Sequence, residues 1–195
     1  MIYLFFLLSF SLITANMGPE GFEAFPNKYF VETGTFSGDG IRFALRAGFR
    51  EIHSIEINEK FFSEAKKKFK QNSNVHIWHG DSGKILLNVI RNIQEPITFW
   101  LDGHNGWPDP QQKKNTPLLE ELEQIKQHHI KTHTILIDDM HCCNMLLFDF
   151  ITKEQIIEKI KEINPLYIIT YIDGGDHGEY PNNIMVAYIP ENYSS

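Results

Sequence analysis

A chain of 195 residues, 42% of them hydrophobic, is long enough for one domain with a sizeable core. Its formal net charge of −7 leaves no basic face to release counterions from phosphates, which argues against a nucleic-acid partner. The cysteines, Cys142 and Cys143, are neighbours, so neither a disulfide framework nor a zinc site is read from them.

The chain opens on "MIYLFFLLSFSLITA", which is apolar through Ala15. It is short of the roughly 20 residues that span a bilayer but has the length of a signal-peptide apolar region, with Ala15 as a small cleavage residue. No Lys or Arg precedes it, and Met17 offers a second start. The expectation is therefore an apolar segment over residues 1–16 and a single domain over 17–195. The protein is exported or membrane-associated if that segment acts as a signal or anchor, and cytoplasmic if translation starts at Met17. Any membrane contact is expected only through residues 1–15.

From residue 28 short apolar runs alternate with amphipathic stretches. "YFVETG" reads as a buried strand and "GIRFALRAGF" as the helix after it; "EIHSIEI" is a second strand. Asn58 then caps a helix whose inward face is Phe61, Phe62, Ala65 and Phe69, leaving Lys66, Lys67, Lys68 and Lys70 as a solvated face. "NVHIWHG" is a third strand. Asp81 or Ser82 opens a helix carrying Ile85, Leu86, Ile90 and Ile93, and "ITFWLD" is a fourth strand.

The polar loop "GHNGWPDPQQKKN" follows, and Thr116 and Pro117 occupy the cap and first-turn positions of the next helix. "HTILIDD" is a fifth strand, and Thr152 with Gln155 forms a capping box before Ile156, Ile157, Ile160 and Ile163. The tail, "LYIITYID" and "NIMVAYI", reads as a hairpin joined by a Gly/Asp/Asn-rich turn containing His177. Its glycines and aspartates are those of a turn rather than a metal site.

Alternating strands and helices of these lengths predict a doubly wound, Rossmann-like α/β fold with a mostly parallel sheet and an antiparallel C-terminal hairpin. Ligands in such sheets sit at the carboxyl ends of the strands. Glu32 and Gly34 follow the first strand, Glu56 ends the second, Asp81 follows the third, Asp102 and His104 the fourth, and Asp138 and Asp139 the fifth. Carboxylates crowded onto one rim cost free energy unless something positive is bound there.

The loop "VETGTFSGDG" (31–40) spaces its glycines as Gly34-x-x-x-Gly38-x-Gly40, which is not the dinucleotide fingerprint, and no Lys-Ser/Thr follows to make a phosphate loop. An acid two residues before Gly34 suits an ammonium group. Glu56, about 20 residues beyond the loop, suits a ribose diol, and Asp81, with Ser82 beside it, suits an adenine amino group. Ammonium, ribose and adenine together describe S-adenosylmethionine.

"VETGTFSGDG", "IHSIEIN" and "HGDSGKIL" resemble the nucleotide half of class I S-adenosylmethionine-dependent methyltransferases, nearest the catechol and macrocin O-methyltransferase branches, over roughly residues 28–140. The resemblance implies a seven-stranded sheet and a cofactor site at Glu32, Gly34, Thr35, Gly38, Glu56, Asp81, Ser82 and Asp102. Strand ends about 4.8 Å apart let Asp102, Asp138 and Asp139 converge on one hard cation, with oxygen ligands suited to Mg²⁺ or Ca²⁺. The alternative is that Asp138 and Asp139 cap a turn. In the two branches named, matching positions carry a divalent metal that holds the acceptor hydroxyls, so the resemblance implies these three aspartates as ligands.

His104 stands where the macrocin branch has an acidic candidate base, and an imidazole that titrates near neutral pH suits that task. Asn105 stands where the catechol branch has a lysine; both departures leave the base open. His141, near the same rim, reads as a turn residue. Trp107, Pro108 and Pro110 place an acceptor lid above the rim. The expected activity is O-methylation of a small hydroxylated acceptor. Two rivals are a methyltransferase-like module that only binds and a nicotinamide-dependent oxidoreductase.

Overall fold

The computed structural model describes residues 19–106, 114–174 and 180–190. The apolar segment 1–16, the proposed lid residues Trp107, Pro108 and Pro110, and His177 lie outside the described residues. Among the described residues no helix is long and apolar enough to cross a membrane.

The strands are β1 (Tyr29–Thr33), β2 (Glu51–Glu56), β3 (Val75–His79), β4 (Ile97–Leu101), β5 (Thr134–Ile137), β6 (Ile168–Gly174) and β7 (Tyr180–Tyr188). They form one sheet in the order β3-β2-β1-β4-β5-β7-β6. The first five run parallel, and β7 pairs antiparallel with both β5 and β6. The strand order reverses beside β1, between the β1–β2 and β1–β4 crossovers, which is the switch point where a ligand cleft opens.

Because successive strand residues face opposite sides, each strand feeds two apolar layers. On one side Val31, Phe99, Leu101 and Ile135 pack with Leu86 and Ile90 of α4 (Ser82–Ile90), Leu122 and Ile125 of α5 (Leu118–Gln127), and Ile156 and Ile160 of α6 (Lys153–Ile163). On the other, Phe30, Ile52, Trp100 and Val186 pack with Phe22 of α1 (Pro19–Phe22), Ile41 and Ala44 of α2 (Asp39–Arg46), and Ala65 of α3 (Glu59–Lys68), with Phe69 just beyond it. Each fully buried Val, Leu, Ile or Phe side chain among these contributes about 1.5–3 kcal/mol.

Three helix starts follow the side chains that cap them, whereas α5 begins after Pro117 with no side-chain cap, one residue later than the Thr116 cap expected. Asn58 accepts from the backbone N–H groups of Lys60 and Phe61, and Asp81 from that of Gly83. Thr152 and Gln155 form the reciprocal capping box. Gly38 caps α2 through the backbone alone, in the left-handed region.

Candidate functional site

A cavity of about 670 Å³ opens at the carboxyl edge of the sheet. Its walls include Gly34, Glu56, Asp81, Ser82, Asp102, His104 and Asp139 from the sequence reading. The same edge adds Phe36, Ile57 and Phe61 at one end and Asn105, Lys114, Asn115 and Thr116 at the other.

The glycine loop is shaped by close approach. Gly34 has φ +82°, and a Cβ there would lie 2.2 Å from the backbone oxygen of Asp102, so only glycine lets β1 and β4 end this close together. At Gly40 a Cβ would fall 1.9 Å from Glu32 Oε2. That contact shows where Glu32 lies: beneath the loop, 1% exposed, accepting from Ser54 Oγ at 2.6 Å. Thr35 Oγ1 in turn lies 2.5 Å from Ser54 Oγ. Glu32, Thr35 and Gly38 thus support the loop from below and behind, and do not line the cavity wall where the sequence reading put them. Burial pushes Glu32 up to about 8, with Asp102 and Glu56 adding to the shift.

Glu56 is held differently. Its Oε2 accepts from the Phe36 N–H at 2.8 Å and its Oε1 from the Asn58 N–H at 2.7 Å. Both oxygens are fixed by backbone donors, and each keeps a second lone pair (a carboxylate oxygen has two). Phe36, 64% exposed, meets the Phe61 ring edge-on at 4.8 Å, so an apolar wall flanks the carboxylate. Asp81 caps α4 through Gly83 and pairs with Lys84 at 2.8 Å.

At the other end His104 lies between two carboxylates. Its Nδ1 is 3.3 Å from Asp102 Oδ1 and its Nε2 3.2 Å from Asp139 Oδ2, while its ring meets Phe148 edge-on at 5.3 Å. Burial opposes a charge on this ring, but the two carboxylates outweigh it and push the imidazole up to about 10. With no ion bound it holds its proton at neutral pH, a state that differs from the expected base titrating near neutrality. Burial raises Asp102, and the contacts with His104 keep Asp139 below the usual carboxylate range despite its partial burial.

The metal expectation shifts as well. One donor atom each from Asp102, His104 and Asp139 lies within 4.8 Å of the others. Asp138 is not in that set: its Oδ1 turns back to accept from the Asp139 N–H at 2.8 Å, as a turn-capping aspartate does. Burial, then Asp102 and Asp139, raise Asp138 to about 8. Two carboxylates with an imidazole fit a divalent cation in number and proximity. The nitrogen donor suits Mn²⁺, Fe²⁺ or Zn²⁺ better than the Mg²⁺ expected of an all-oxygen set.

Two acids, one buried and one half-buried, escaped the sequence reading. Glu121 of α5 is 1% exposed and accepts from Ser82 Oγ at 2.5 Å; burial pushes it up to about 7, against the pull of Ser82, Thr33 and Lys114. Its signal was present, since residue 121 falls on the inward stripe of Leu118, Leu122 and Ile125. Asp149, at φ +49°, accepts from Asn115 N at 2.8 Å, Asn115 Nδ2 at 2.9 Å and Thr116 N at 3.1 Å. Asn115 O then accepts from Asn105 N at 2.8 Å, so Asp149 anchors both arms of the wall opposite Glu56.

No protein-family model and no curated protein sequence matches the chain. Solved structures do. The O-methyltransferase from Bacillus cereus in complex with S-adenosylhomocysteine (SAH) superposes with TM-score 0.59 at 14% identity, over 87% of this chain and 78% of that one. An rRNA methylase from Streptococcus thermophilus gives 0.53 at 14%, over 89% and 95%. Aeropyrum pernix fibrillarin with bound S-adenosyl-L-methionine gives 0.56 at 11%, over 82% and 65%. At such identities the likeness speaks for architecture: the chain has the Rossmann-like fold of the class I S-adenosylmethionine-dependent methyltransferases.

Proposed function

We propose that the chain is an S-adenosylmethionine-dependent methyltransferase acting on an oxygen of a small hydroxylated acceptor, assisted by a divalent ion on Asp102, His104 and Asp139. One observation carries the reading. Glu56 stands at the end of β2 with both oxygens oriented by backbone donors and facing a cavity, which is how a carboxylate is prepared for two adjacent ribose hydroxyls. The apolar wall of Phe36, Ile57 and Phe61 beside it suits a purine face.

With the nucleoside at that end, the reacting methyl group points towards Asp102 and His104, and the acceptor lies against Asn105, Lys114, Asn115 and Thr116. A cavity of about 670 Å³ shared by donor and acceptor favours a small acceptor, in keeping with the net charge of −7. These side chains orient the acceptor hydroxyl, and positioning supplies much of the rate of a methyl transfer. A divalent ion, when bound, lowers the pKa of the hydroxyl it touches. His104 holds either a proton or the ion, so it is not free to act as the base.

Turnover of S-adenosylmethionine with a panel of polyols, sugars and phenols, before and after chelation, tests the whole reading. Methyl transfer that falls at least about tenfold on chelation and returns with Mn²⁺ is expected. Unchanged activity would remove the ion. Binding of NAD in place of SAH would overturn the methyltransferase reading, and SAH binding without turnover on any acceptor would leave a binding module.

A further inference from the structure

The cavity floor between its two ends is unusually thin. Gly34 and Gly103 form it, and a Cβ at Gly103 would meet Glu121 Oε1 at 2.9 Å and Thr33 Oγ1 at 3.1 Å. Glu121 therefore lies directly under the cavity, screened from it only by a residue without a side chain. Hydroxyl groups supply its hydrogen bonds, and among the described residues no cation pairs with it. Lys114, the nearest cation acting on it, is paired with Glu120.

The neighbouring acids are placed otherwise. Asp102 faces the His104 ring, and Glu32 is set back behind Ser54 and Gly40. Like Glu56 at the ribose end, Glu121 is a buried acid beside the cavity with no cation pairing among the described residues, and it lies under the middle of the floor. A charge in such a low-dielectric place acts on whatever lies in the cavity above it.

We propose that Glu121 gives the cavity its preference for the positively charged sulfonium donor over the neutral thioether product, so that loss of the methyl group weakens binding and favours product release. This rests on the methyltransferase reading. With the ribose on Glu56 and the acceptor against Asn105 and Lys114, the sulfur must lie between them, over Gly34 and Gly103. Donor and product carry the same nucleoside, amino and carboxylate groups and differ by the methyl group and one positive charge. The ratio of their affinities therefore isolates the charge.

The test is calorimetric titration of the full chain with S-adenosylmethionine and with SAH at pH 8, for the unaltered protein, Glu121→Gln and Glu121→Asp. Glu121→Gln keeps the shape but removes the charge, and the donor-to-product affinity ratio is expected to fall about tenfold, as for a unit charge some 10 Å away at an effective dielectric near 20. Glu121→Asp keeps the charge and is expected to weaken both ligands while preserving the ratio. Equal weakening of both ligands in Glu121→Gln would overturn the proposal and reduce Glu121 to a support for Ser82, with the methyltransferase reading intact. Failure of the unaltered protein to bind either ligand would overturn both.

Discussion

The two ends of the sheet bury titratable groups in opposite ways. At the amino edge, before β5, His133 is fully buried and its Nδ1 accepts from the Ile97 N–H at 3.1 Å. That leaves the proton on Nε2, which donates to His128 Nδ1 at 3.0 Å, and His128 Nε2 donates to Ile90 O at 3.0 Å. Every ring nitrogen is satisfied, and burial first, then His128 and Lys131, pushes His133 down to about 3. At the carboxyl edge Glu32 and Glu121 are as deeply buried but lean on hydroxyls, and burial raises both. A finished polar network serves structure. Acids held without a partner cation stand at the edge where we propose that the ligand binds.

The sharpest way to break this contrast is at the loop that shapes the carboxyl edge. Gly34→Ala forces a Cβ into the Asp102 carbonyl at a φ of +82°, and a loss of about 3 kcal/mol or more in urea unfolding is expected. A smaller loss would mean that β1 and β4 end less tightly than described. His133→Ala removes the relay at the other edge. It leaves the Ile97 N–H and a histidine nitrogen unsatisfied, at a cost of about 3 kcal/mol, with SAH affinity unchanged. Altered SAH affinity would show that the two edges are coupled.

The edges also impose opposite pH dependences. Folded His133, at about 3, lies below the unfolded value near 6.5, so its contribution is complete above pH 6.5 and is lost as pH falls towards 3. Glu121 and Glu32, at about 7 and 8, lie above the ordinary glutamate value of 4.5, so the folded state holds more protons and stability declines as pH rises from about 4.5 to 8. Thermal unfolding of Glu121→Gln across pH 5–9 is therefore expected to show a flatter alkaline arm and a gain of about 2 kcal/mol at pH 8. An unchanged arm would mean that Glu121 is not the titrating group. At the small end, Lys28→Ala breaks an exposed pair with Glu95 at 2.7 Å and should cost less than about 0.5 kcal/mol.

Much of the fold was legible in the sequence because strand and helix periods repeat clearly, and Glu56 stood out because a strand end and a spacing coincide there. Glu32 was read as facing the ligand, although β1 alternation puts it with Phe30 on the α2 side, opposite Val31. Glu121 sat in plain view on the inward stripe of α5 and was missed among its leucines. That His104 rather than Asp138 lies close to Asp102 and Asp139 was beyond reach, because it depends on how the chain after β4 folds back towards Asp139. No periodicity records such a turn.

Calorimetry of SAH binding to the unaltered protein and to Glu56→Gln bears most directly on the central claim. A single site with affinity weakened at least about thirtyfold by the substitution is the predicted result, since an amide cannot accept from two ribose hydroxyls while keeping the Phe36 and Asn58 N–H bonds. Equal affinity in the two proteins, or none in either, would contradict it.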